Sequence, residues 1–121
     1  MYEENVIKSK SFEFALSIAR LVKKIQHSHK EFVLSRQLLR SGTAIGALVS
    51  EAEQAESKKD FVHKMSIALK EANETKYWLK LLSSLDYLEG NTHEGLKKSN
   101  VELIKLLISI IKTAKLNLAS K

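Results

Sequence analysis

The sequence predicts an all-α protein folded as an antiparallel up-down-up-down four-helix bundle. Three observations carry that prediction. The 121 residues hold no proline and only four glycines, so the turns that many short strands require have few residues to build them. Apolar residues recur at spacings of three and four over long stretches, which is the helical period. The joints between those stretches are short and polar, so successive helices must lie antiparallel. The length suits a single domain over 1–121.

The elements follow in order. The spacing predicts a first helix over 5–26, with Phe12, Ala15, Ile18, Ala19, Val22 and Ile25 as its core stripe. The segment HSHKE is the expected connection, with His27 and His29 as solvated loop residues. A second helix is expected over 33–56. Leu38, Ile45 and Ala52 are heptad-spaced on it, and Leu34, Ser41, Leu48 and Ala55 make a companion row. Gly42 and Gly46 lie four apart on the same helix. Each costs about 1 kcal/mol of helix propensity relative to alanine, which points to a close helix–helix approach. Ser57 is the expected N-cap of a third helix over 58–88, with Asp60 placed three residues on to meet free amides. Phe61, Met65, Ala68, Ala72, Thr75, Leu79 and Leu82 form its core stripe, and Gly90 is the expected C-terminal stop. The fourth helix starts at Asn91 with Glu94, or at Ser99 with Glu102, and runs to 118.

Composition excludes several function classes. With no cysteine there is no disulfide framework, cysteine–zinc site or thiol nucleophile. The N-terminus lacks the basic-then-apolar order of a secretory signal. The most apolar stretch, 101–111, is interrupted by Glu102 and Lys105 and falls short of the roughly 18 apolar residues that suggest a membrane span. A cytoplasmic protein is expected. No phosphate loop, dinucleotide fingerprint, nucleophile elbow or kinase signature occurs. Glu71 and Glu74 sit one turn apart on a largely apolar stripe. A ferritin-like di-metal bundle would add Glu-x-x-His motifs, and this chain has none. The expected role of the pair is therefore structural, in a polar network with Arg36, Arg40 and Glu51, since arginine suits partly buried carboxylates. Neither enzymatic activity nor a metal or other cofactor is expected.

Two surfaces remain. The third and fourth helices carry more apolar residues than a lone bundle needs, so self-association is expected through Ile67, Trp78, Leu81, Leu85, Ile104, Ile108 and Ile111. The second surface is basic. Lys and Arg number 20 against 14 Asp and Glu, a formal net charge of +6. The excess falls on the first and last quarters of the chain. Lys98, Lys105 and Lys112 repeat every seven residues, flanked by Lys97 and Lys115, and Arg20, Lys23 and Lys24 cluster on the first helix. These are the candidate phosphate contacts. No aromatic residue interleaves the fourth-helix stripe, so base stacking is not indicated there.

The string QLLRSGTAIGALVSEAEQAESKKDFVHKMSIALKEANETKYWLKLL resembles a known family. It is similar to the four-helix-bundle proteins encoded in intervening sequences of bacterial 23S ribosomal RNA genes, relatives of the accessory variability proteins of diversity-generating retroelements. Gln37, Leu38, Arg40 and Ser41 match the family's Gln-Leu-x-Arg-Ser core. Ile45, Glu51, Phe61, Ile67, Ala68, Glu71 and Glu74 match its later turns. The chain departs from the pattern at Ala47-Leu48-Val49, where the family commonly has a small residue and then Asn-Ile. The resemblance implies a left-handed bundle that assembles into a homopentamer with a central opening. It also implies association with RNA or DNA and, in the accessory branch, with a reverse transcriptase. It carries over no catalytic residues. The expected function is a non-enzymatic oligomeric scaffold that binds nucleic acid. The alternatives are a protein–protein adaptor without nucleic-acid contact and a metal-binding bundle enzyme.

Overall fold

The computed structural model describes residues 2–119 as four helices: α1 (Tyr2–His29), α2 (Leu34–Ala52), α3 (Lys58–Ser84) and α4 (Gly90–Ala119). Each packs on its neighbour in sequence, and α1 closes the bundle against α4. Side-chain pairs fix the directions. Lys8 meets Glu53 while Gln26 meets Ser35, so α1 and α2 are antiparallel. Arg40 meets Glu74 while Glu51 meets Lys64, so α2 and α3 are too. Glu3 meets Ser109 while Lys10 meets Glu102, which sets α1 against α4 in the same sense. This is the expected four-helix bundle.

The joints show which local signals operate. α1 runs on to His29, three residues past the expected end, because Lys30 adopts a left-handed φ of 54° and its N–H bonds back to the Gln26 carbonyl at 3.2 Å. His27 and His29 therefore belong to the last turn of α1 and not to a loop, and the His29 ring meets Tyr87 edge-on at 5.3 Å. Glu31 then caps α2. Its carboxylate accepts from the N–H groups of Val33 (3.1 Å), Leu34 (2.9 Å) and Ser35 (2.8 Å), and its carbonyl accepts the Ser35 hydroxyl at 2.7 Å. Burial pushes the Glu31 carboxyl up, but the three amides and the hydroxyl together hold it below its ordinary value.

α2 ends at Ala52, four residues before the expected boundary, in a turn that leads to Ser57. Ser57 accepts from the Asp60 N–H at 3.0 Å and Asp60 accepts from the Glu56 N–H at 3.2 Å, the cap read from the sequence. α3 ends at Ser84, and its stop is Asp86 rather than Gly90. Asp86 takes a left-handed φ of 63°, its N–H bonds to Ser83 O and the Tyr87 N–H to Leu82 O, each at 3.0 Å. That pattern closes the last carbonyls, and aspartate tolerates the left-handed region. Gly90 instead opens α4, and Ser99 lies well inside that helix.

The core runs the length of the bundle through Ile7, Phe14, Ile18, Val22 and Ile25 of α1, Leu38, Ile45 and Val49 of α2, Met65, Ala72, Leu79 and Leu82 of α3, and Leu103 and Leu107 of α4. The expected α1 stripe is buried at Ile18, Val22 and Ile25 but not at its other end. Phe12 is 64% exposed and Ala19 is also outside, while Phe14 is 3% exposed. Residues two apart point to opposite flanks of a helix, so only one phenylalanine can enter. Phe14 shares a face with Ile7, Ile18, Leu21 and Ile25, and that face wins. The glycines on α2 do mark a close approach. A Cβ on Gly42 would stand 2.8 Å from Cγ2 of Ile18, and one on Gly46 would stand 3.3 Å from the Ser11 carbonyl oxygen. A few polar groups interrupt the core. The Ser41 and Thr75 hydroxyls meet at 2.9 Å, and the buried Asn100 amide donates to the Ala72 carbonyl at 3.1 Å, tying α4 to α3.

Candidate nucleic-acid interface

The buried side of α4 is set by Leu103, Leu107 and Ile110. Lys98, Lys105 and Lys112 stand on the opposite, outward side and are exposed. Seven residues of helix advance about 10.5 Å, so the stripe spans about 21 Å. Lys97, Lys115, Arg20, Lys23 and Lys24 are exposed as well. The ion pairs among the described residues engage four other cations: Lys8 with Glu53, Lys10 with Glu102, Lys64 with Glu51, and Arg40 with Glu71 and Glu74. None of the eight candidate cations is in an ion pair among the described residues. Beside the stripe runs an open trough of about 970 Å³, lined by Lys97, Lys98 and Lys105 together with Glu3, Glu94 and Glu102. Two of those carboxylates are engaged, Glu102 by Lys10 at 3.1 Å and Glu3 by the Ser109 hydroxyl at 2.8 Å.

The structure does not merge the candidate cations into one site. Because Lys10 is level with Glu102 and the helices are antiparallel, Arg20, Lys23 and Lys24 lie level with the start of α4, away from Lys105 and Lys112. Lys24 lines a separate pocket of about 360 Å³ at that end, with Gly90, Thr92 and His29.

The candidate polar network is only partly assembled. Arg40 bridges two carboxylates one turn apart on α3, with Nη1 donating to Glu71 at 3.1 Å and Nη2 to Glu74. The Trp78 indole N–H donates to the same Glu74 at 2.9 Å. That indole bond, then the Arg40 bond and charge, hold the Glu74 carboxyl below its ordinary value. The bonds to Glu71 and Glu74 raise Arg40 further above its already high range. Arg36, one turn before Arg40, is exposed and joins no ion pair among the described residues. Glu51 pairs with Lys64 instead, at 3.2 Å. The carboxylate pair is thus occupied by a guanidinium, and among the described residues no three His, Cys, Asp or Glu side chains form a group able to hold a metal.

The apolar candidates for self-association divide in the same way. Leu85 and Ile108 are each 50% exposed. Ile67, Trp78, Leu81 and Ile104 are half-buried within their own bundle. Ile111 belongs to the core and is not a surface residue. A near-continuous apolar helix looks unpartnered in one dimension, but α4 is flanked by both α3 and α1, which consume most of that surface. The outward apolar residues include several that the periodicity hides: Phe12, Leu16, Tyr77 and Leu116.

A family model described as 23S rRNA-intervening sequence protein matches residues 3–109, from the start of α1 into the second half of α4. The chain belongs to the 23S rRNA-intervening sequence protein family. A solved protein of unknown function from the S23 ribosomal protein family of Bacteroides thetaiotaomicron VPI-5482 has the same fold. It is 54% identical, with 91% of this chain and 98% of that one covered and a TM-score of 0.89. No curated protein matches the chain. In this intervening-sequence family protein, Arg40 and Ser41, two of the residues that carry the resemblance in sequence, both make structural contacts. Arg40 spans to α3 through Glu71 and Glu74, and Ser41 meets Thr75 inside the bundle. No helix of the described residues is long and apolar enough to cross a membrane.

Proposed function

We propose that this intervening-sequence family protein is a non-enzymatic, homo-oligomeric helical scaffold of the cytoplasm that associates with RNA or DNA through its exposed cations. One observation carries the reading. Of the ten lysines and arginines on α1 and α4, only Lys8 and Lys10, near the start of α1, pair with carboxylates, while the other eight face solvent with no ion-pair partner among the described residues. Unpaired cations in a line are suited to phosphate, whose neutralisation releases condensed counterions. A homopentamer, as the family resemblance implies, would repeat the stripe five times and carry about +30, enough to draw a polyanion by long-range attraction. The residual outward apolar residues, Leu85 and Ile108 among them, support self-association.

The test is binding of mixed-sequence RNA across a salt series, with the mass in solution measured by light scattering. Affinity should fall linearly on a log–log plot, and replacing Lys98, Lys105 and Lys112 by alanine should flatten the slope by about 2–3, close to one for each lost phosphate contact. Affinity indifferent to salt would refute phosphate contact and leave the adaptor reading, with a protein such as a reverse transcriptase as the partner. A monomeric mass at micromolar concentration would refute the oligomer.

A further inference from the structure

We propose that Tyr77 is a base-stacking platform, and that the basic face it belongs to takes single-stranded nucleic acid. The inference rests on the nucleic-acid reading above and names the form of strand bound. The α4 stripe by itself offers only charge, but the bundle brings a second helix to it. Tyr77 lies on the outward side of α3 and is 59% exposed. Lys70 stands two turns before it on the same face and Lys80 one turn after it, both exposed and neither in an ion pair among the described residues. The exposed Lys76 stands a heptad beyond Leu69, which packs against the core. Asn100 of α4 is bonded to Ala72 of α3, and the helices are antiparallel. Lys76 and Lys97, each about one turn from that bond, therefore share a level of the bundle. The face thus continues from Lys98 and Lys105 across Lys97 and Lys76 to Lys80, Tyr77 and Lys70.

The ring is also held ready. Tyr77 meets Trp78 edge-to-face, with centroids 5.0 Å apart at 76°. Trp78 is anchored by its indole bond to Glu74, and Glu74 by Arg40. An aromatic ring fixed beside exposed cations is the arrangement that single-strand binders use, since every base has a stackable face. A duplex hides those faces in its own stack. Other exposed aromatics lack this setting. Tyr2 adjoins Glu3 and Glu4, Phe32 adjoins Glu31, and Phe12 sits with Ala15 and Leu16.

The probes are a fluorescent 12-residue oligouridylate and a blunt RNA duplex of equal length, titrated into the full chain, Tyr77→Ala and Tyr77→Phe. Tyr77→Ala should weaken oligouridylate binding about tenfold, leave duplex binding within about twofold, and keep the salt slope. Tyr77→Phe retains the ring and should bind as the parent. Trp78 is the sole tryptophan, so its emission should change on oligouridylate binding in the parent and not in Tyr77→Ala. Circular dichroism of Tyr77→Ala should match the parent, since the ring is outside the core. Equal oligouridylate affinity for parent and Tyr77→Ala overturns the stacking role while leaving the phosphate reading intact. A parent that binds neither probe overturns both.

Discussion

The close approach of α1 and α2 gives the sharpest check on the packing, because one substitution should change sign with its place in the bundle. In Gly42→Ala the new Cβ would stand 2.8 Å from Cγ2 and 3.0 Å from Cγ1 of Ile18. Ile18 is fully buried, and its branched β-carbon leaves the two γ-carbons no alternative rotamer. Overpacking of this kind costs about 1–3 kcal/mol, while alanine regains about 1 kcal/mol of helix propensity. The expected outcome is a net loss of about 0–2 kcal/mol. Gly95, inside α4, has nothing within 4 Å of its own Cβ position. There the same change should stabilise by up to about 1 kcal/mol. Urea unfolding followed by circular dichroism measures both. With a slope of about 2 kcal/mol per molar urea, a 2 kcal/mol gap between the variants separates their midpoints by about 1 M. Ile18→Ala should cost less in the Gly42→Ala background than alone, since it removes both clashing carbons. Equal midpoints for Gly42→Ala and Gly95→Ala would refute the close approach.

Two further outcomes follow from burial and capping. Phe14→Ala should cost about 3–5 kcal/mol, whereas Phe12→Ala should stay within about 0.5 kcal/mol as a surface change; the reverse order in urea midpoints would restore the stripe read from periodicity. Glu31→Gln should cost about 1 kcal/mol at neutral pH through the weakened α2 cap. Because the folded carboxyl is held below its ordinary value, its contribution is present above the unfolded carboxylate range and is lost as pH falls through the folded value. Parent and Glu31→Gln should therefore converge in stability on acidification, and a gap that persists into strong acid would contradict the cap.

Much of the architecture was legible in the chain because its signals are local. Ser57 with Asp60 marks a helix start wherever it occurs, and Leu38, Ile45 and Ala52 fall on one face by helical geometry alone. The Arg40 pairing was half legible. Arg36 and Arg40 share a face of α2, so the sequence offered both to Glu71 and Glu74, and only the α2–α3 register selects the second. The stop of α3 was misplaced because glycine is the usual left-handed residue, while here Asp86 takes that conformation and Gly90 is left to open α4. Tyr77 escaped notice because it lies on α3, away in sequence from the α4 lysine stripe that no aromatic interleaves. Its lysine neighbours come from the same helix and from a partner helix some 20 residues away.

By itself, then, the sequence determined the class of fold, the number of helices, the Ser57–Asp60 cap of α3 and the excess of positive charge. Each of these depends on composition or on interactions within a few turns of one helix. The tertiary structure decided which phenylalanine of α1 is buried, which helix faces are consumed by neighbours, and which cations stand outside the ion pairs of the described residues. Those outcomes depend on how helices distant in the chain are aligned and rotated against one another, and a helix's own periodicity leaves that rotation open.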